Sequence, residues 1–89
     1  MKLTLDSARA LRDGGIDALA ALDDMVRETL HHLPEALHGT VKSAAGRAMC
    51  VVSEETINRA INAFPELKPD QETWINVAKT KALRRASIV

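Results

Sequence analysis

The sequence predicts an all-α fold, and three observations predict it. Helix formers dominate the 89 residues, and few β-branched residues alternate as a strand requires. Apolar residues recur at spacings of three and four, most clearly Leu19, Leu22, Val26, Leu30 and Leu33. Prolines and capping residues divide the chain into pieces that fit a small single-domain bundle of four or five helices. With 46% apolar and 27% charged residues, the composition is that of one folded domain and excludes a fully disordered chain.

The first helix is expected from about Asp6 to His32, with Asp6 or Ser7 as its cap and His31 and His32 in its last turn. Gly14-Gly15 is its weak point, a place to kink or split, since glycine costs about 1 kcal/mol against alanine in a helix interior. Pro34 suits a first helical position and opens a second helix that runs to about Met49. Val51-Val52 disfavours helix and predicts a turn or a short extended link. Ser53-Glu54-Glu55 then reads as a fresh start, with a capping serine and two carboxylates at the positive end of the dipole. Ile57, Ala60, Ile61 and Phe64 form the apolar face of this third helix, and Pro65 ends it. Pro69, Asp70 and Glu72 open the last helix, whose buried side is predicted to be Trp74, Ile75, Val77, Ala78 and Ala82. It is expected to fray near Arg85 and leave a tail, Ser87-Ile88-Val89.

The core is thin. Phe64 and Trp74 are the only aromatics, and alanine, which buries little area, fills many of the remaining apolar positions. A chain this short is marginally stable alone, so a homodimer or a protein partner is expected. The single cysteine excludes an internal disulfide, and Cys50 reads as a small buried apolar residue. No apolar run is long enough for a transmembrane span or a secretory signal, which makes the cytoplasm the default location.

The formal charge is zero, but it is unevenly placed. Residues 1–36 carry Lys2, Arg9, Arg12 and Arg27 against seven carboxylates. Residues 79–85 carry Lys79, Lys81, Arg84 and Arg85 with no acid. Cations favour a helix C-terminus and acids solvate a helix face; the same asymmetry also provides a basic end for phosphate or an acidic protein surface.

The stretch Val52-Ser53-Glu54-Glu55-Thr56-Ile57-Asn58-Arg59-Ala60-Ile61-Asn62 resembles the recognition-helix half of a helix-turn-helix DNA-binding domain of LacI-like regulators. Downstream, Pro69 to Thr73 with Val77-Ala78-Lys79 is similar to the closing helix of Cro/phage-repressor-like domains, so the likeness covers residues 51–83. It implies a small DNA-binding regulator of bacterial or phage type, dimeric, with a helix-turn-helix region within residues 34–83, between the acidic first helix (residues 1–33) and the tail (residues 84–89). Ser53 would cap the helix that enters the major groove. Thr56, Asn58, Arg59 and Asn62 would reach bases or phosphate, and Lys79, Lys81, Arg84 and Arg85 would add phosphate contacts. Arg47 stands where these families place a small residue, and Val51 where they place the turn glycine. Those departures, the mixed charge and the thin core motivate the alternative: a helical protein-binding adaptor or inhibitor, of the size and helicity of small phage-encoded inhibitors, with no DNA binding.

Other constellations carry less. His31, Glu35 and His38 have metal-ligand chemistry, but Pro34 takes them off one regular helical face, so no metal site is expected. Asp17, Asp23 and Asp24 read as solvating carboxylates. Arg84-Arg85-Ala86-Ser87-Ile88 resembles the substrate motif of cyclic-AMP-dependent protein kinases, a short pattern read here as coincidence. There is no glycine-rich phosphate loop and no nucleophile elbow, and so small a core rarely encloses a catalytic pocket. The sequence therefore predicts no enzyme, no cofactor and no small-molecule substrate.

Overall fold

The computed structural model describes residues 2–88. It is 88% helical, with no strand among the described residues. Three long helices make the fold, not four or five. The first spans Leu5–His31 and the last Gln71–Ile88. Between them runs one continuous middle helix over residues 38–63, made of an α-helical part His38–Val52, a π-helical part Ser53–Asn58 and an α-helical part Arg59–Ala63.

The first helix starts one residue earlier than its sequence signals. Thr4 is the cap: its hydroxyl accepts from the Ser7 N–H at 3.1 Å, and its own N–H donates to Ser7 Oγ at 2.8 Å. The helix passes through Gly14-Gly15 unbroken. After His31 the chain turns through Pro34 and one 3-10 turn, Glu35–Leu37, and His38 Nε2 donates to the Leu33 carbonyl at 3.0 Å across the corner. The other corner, Pro65–Leu67, is tied back by Arg12, which donates to the Leu67 carbonyl at 3.0 Å while paired with Asp13 at 2.8 Å. Asp70 then accepts from the Thr73 N–H at 2.7 Å at the head of the last helix. That bond holds its carboxyl below the ordinary value of 3.8, so it is ionised and capping at neutral pH. The last helix does not fray at Arg85: it continues to Ile88, and Val89 lies outside the described residues.

The continuity of the middle helix overturns the turn expected at Val51-Val52 and the fresh start at Ser53. Ser53 has helical backbone angles (φ −59, ψ −48), and its N–H bonds to the carbonyls of Cys50 and Met49. A serine in that geometry is interior to a helix. Two valines cost at most about 0.7 kcal/mol each against alanine, and packing of the flanking turns on the first helix outweighs that.

The π segment has a geometric reason. Ala45 and Ile57 are both buried, and the parts that carry them both pack on the first helix. Twelve residues separate them, and an ideal α-helix would rotate the second away from the first by about 120°. A wider turn absorbs an additional residue and brings Ile57 and Ala60 back under the first helix. Thr56 Oγ1 donates to the Val52 carbonyl at 2.5 Å within this loosened stretch.

The crossing itself is very close. A Cβ on Gly15 would overlap Thr56 Oγ1, and would lie 2.8 Å from Thr56 Cβ and 3.0 Å from Ile57 Cγ1. Gly15 and the adjacent Ile16 are buried, and Ile16 is the largest side chain fully removed from solvent. Beyond the crossing Ala8, Ala60 and Leu67 form a small buried cluster, with Leu3 and Phe64 packed on it.

Burial is incomplete elsewhere. The predicted stripe Leu19, Leu22, Val26, Leu30 and Leu33 is only half-buried, as are Phe64 and Trp74. Ile75 and Ala82, predicted to be inside, are exposed. The accessible surface is 6344 Å², against about 5,100 Å² for a compact monomer of this mass. The radius of gyration, 14.8 Å, likewise exceeds the about 12 Å of a compact chain of this length.

The crossing makes opposite forecasts for adjacent glycines. Nothing lies within 4 Å of a Cβ on Gly14, so Gly14→Ala should stabilise by about 0.5–1 kcal/mol through helix propensity. Gly15→Ala should instead destabilise by about 1–3 kcal/mol through overpacking. Urea unfolding followed by circular dichroism measures both; equal shifts would contradict the crossing.

Candidate functional site

The middle and last helices each pack on the first and scarcely touch one another. The gap between them is an open furrow of about 790 Å³. The first helix supplies its floor with Leu19 and Ala20 and an edge with Asp23 and Arg27. Met49, Cys50 and Ser53 form one wall, and Trp74, Ile75, Ala78 and Lys79 form the other. The lining is therefore mainly apolar, with charge confined to three side chains. Two of these, Asp23 and Arg27, pair with each other at 2.6 Å across one helical turn.

The residues singled out from the sequence do not share one surface. Thr56 is turned against Gly15 at the crossing, and Ser53 lines the furrow. Asn58, Arg59 and Asn62 are exposed on the middle helix. Arg59 is held by Glu55, through an ion pair and a 3.3 Å bond from Nε to the Glu55 carbonyl. Glu54 and Glu55 are exposed on the same stretch, where their charge opposes phosphate. On the last helix Lys79 borders the furrow, Arg85 pairs with Asp17 of the first helix, and Lys81 and Arg84 share a shallow recess with Asp13, Asn76 and Thr80. Exposed ion pairs are worth about 0–1 kcal/mol, so Arg59 and Arg85 are restrained without being locked.

Cys50, read from the sequence as buried, is exposed. The middle helix has no neighbour on that side, so a small apolar residue there stays in contact with water. Among the described residues no three His, Cys, Asp or Glu side chains gather as metal ligands, and no helix is long and apolar enough to cross a membrane.

Sequence reasoning missed the furrow because each of its walls reads as a face of an ordinary core. One signal pointed to it. The last helix carries apolar residues over more of its circumference than a single neighbour can cover: Trp74, Val77 and Ala78 are half-buried, while Ile75 and Leu83 are 50% and 71% exposed.

No protein-family model, curated protein or solved structure matches this chain.

The interior position of Ser53 is directly testable. Loss of a helix-capping serine costs about 1 kcal/mol, whereas an interior serine replaced by alanine gains a few tenths of a kcal/mol in propensity. Ser53→Ala should therefore leave the urea midpoint unchanged or raise it slightly. A loss of about 1 kcal/mol would restore a helix start at this position.

Proposed function

We propose that this chain is a non-enzymatic protein-interaction module, an adaptor or inhibitor, that binds through the apolar furrow. One observation carries the reading. The chain leaves about 1,200 Å² more surface exposed than a compact monomer of its mass, and the furrow between its middle and last helices is lined chiefly by Leu19, Met49, Trp74, Ile75 and Ala78. Apolar surface in a concave, polar-rimmed setting is what protein interfaces present. It has little to offer a phosphate backbone, which is bound through clustered cations.

A DNA-binding regulator is the rival reading. It draws on Asn58 and Asn62, both exposed, and on the pair of cations Lys81 and Arg84. Against it, the stretch that resembles a recognition helix is the interior of a continuous helix, has acids beside it, and turns Ser53 and Thr56 inward.

A photo-crosslinking residue placed at Ile75, with one at Lys42 as a control away from the furrow, separates the two. The module reading predicts a discrete, nuclease-resistant protein adduct at position 75 and none at position 42. Absence of any protein adduct at 75, together with a DNA mobility shift that weakens steeply with salt, would overturn it in favour of DNA.

A further inference from the structure

Resting on the reading of the furrow as a protein interface, we infer that its occupant is a second copy of this chain. Taken over the whole chain, the surplus of surface over a compact monomer is on the scale of one side of a dimer interface. A standard interface removes about 800 Å² from each partner, and the excess surface of this chain is about 1,200 Å². The exposed apolar residues also extend beyond the furrow along the same helix. Ile75, Ala82 and Ala86 recur at spacings of seven and four, with Leu83 next to them, and all four are exposed. That is one stripe of a helix, and it continues the furrow wall formed by Trp74, Ile75 and Ala78. The small side chains at 78, 82 and 86 let a helix of the partner approach closely.

Charge favours a copy over a charged partner. The chain has zero formal charge, so two copies meet without net repulsion. The furrow edges carry both signs, with Asp23 paired to Arg27 on the first helix and Lys79 on the last, so they lack the single-signed field that would select a strongly acidic or basic partner. In an isologous contact the same patch serves both protomers, and both incomplete surfaces are covered by one association.

Sedimentation velocity across 1–200 µM, paired with alkylation of Cys50, tests the assignment. Cys50 is the only cysteine, is exposed in the single copy and lines the furrow. The wild type should sediment at twice its 9.7 kDa mass, and alkylation should slow at least fivefold as concentration rises through the association range. Ile75→Glu and Leu83→Glu should each raise the dissociation constant at least tenfold and restore fast alkylation, with helicity unchanged. Leu83 is 71% exposed, so its replacement cannot act by emptying the monomer core. Lys42→Glu, outside the furrow, should change neither measurement. A monomer at every concentration, or a dimer indifferent to both substitutions, overturns the inference. If a monomer still gives a protein adduct at position 75, the furrow remains an interface for a different protein; if it gives none, the module reading fails as well.

Discussion

The structure depends on one close approach. At Gly15 the first helix meets Thr56 and Ile57 of the middle helix with no side chain of its own between them. Everything around that point is arranged to permit it. The middle helix widens into a π segment at Ser53–Asn58, which turns Ile57 and Ala60 toward the first helix although the α-helical part before it already presents Ala45. The neighbouring contact is made by alanines, Ala8 and Ala60, both fully buried. Close helix approach through small residues gives good packing over a short span, but it removes little apolar area from water. The same contact that aligns two helices therefore limits how much core they enclose.

The last helix shows the consequence. It rests on the first helix and hardly meets the middle one, so its apolar residues are divided between a covered side and an open one. Trp74, Ile75 and Ala78 line the furrow, with Ile75 half exposed there, while Leu83 lies outside it and is open to water. Polar ties hold this loosely packed arrangement in place: Arg12 on the Leu67 carbonyl, Arg85 on Asp17, and Asp70 at the head of the last helix. These bonds set geometry more than stability, since most of them are exposed. A three-helix body with a small core and an apolar furrow leaves apolar surface in water, and it is this surface that the proposed interface would cover.

Much of the fold was legible from periodicity. The all-α class, the extent of the first helix to within a residue, the break at Pro34 and the start of the last helix after Pro69 all follow from proline placement, caps and three-four spacing. The middle helix was not legible in the same way. Val51-Val52 followed by Ser53-Glu54-Glu55 carries the local signs of a helix end and a new start, and the helix continues through it where both flanking parts pack on the first helix, a long-range contact that local signals do not contain. Helix propensity counts only the cost of Gly15 and carries no information about Thr56 and Ile57 across from it. The furrow was hidden for a related reason. Leu19, Met49, Trp74 and Ala78 each sit on a face that would be core if another helix covered it, and a sequence does not state that no such helix exists within the chain. The exposure of Cys50 follows from the same missing neighbour.

The central claim is that one copy of this chain is under-buried and that association completes it. The concentration dependence of its unfolding tests this most directly. When folding is linked to self-association, the denaturation midpoint rises with protein concentration by mass action. Urea unfolding at 1 and 100 µM should therefore give a clearly higher midpoint at the higher concentration, with the transition remaining cooperative. Midpoints that coincide across this hundredfold range, with the chain fully folded at the lower concentration, would show that a single copy is sufficient and would contradict the account.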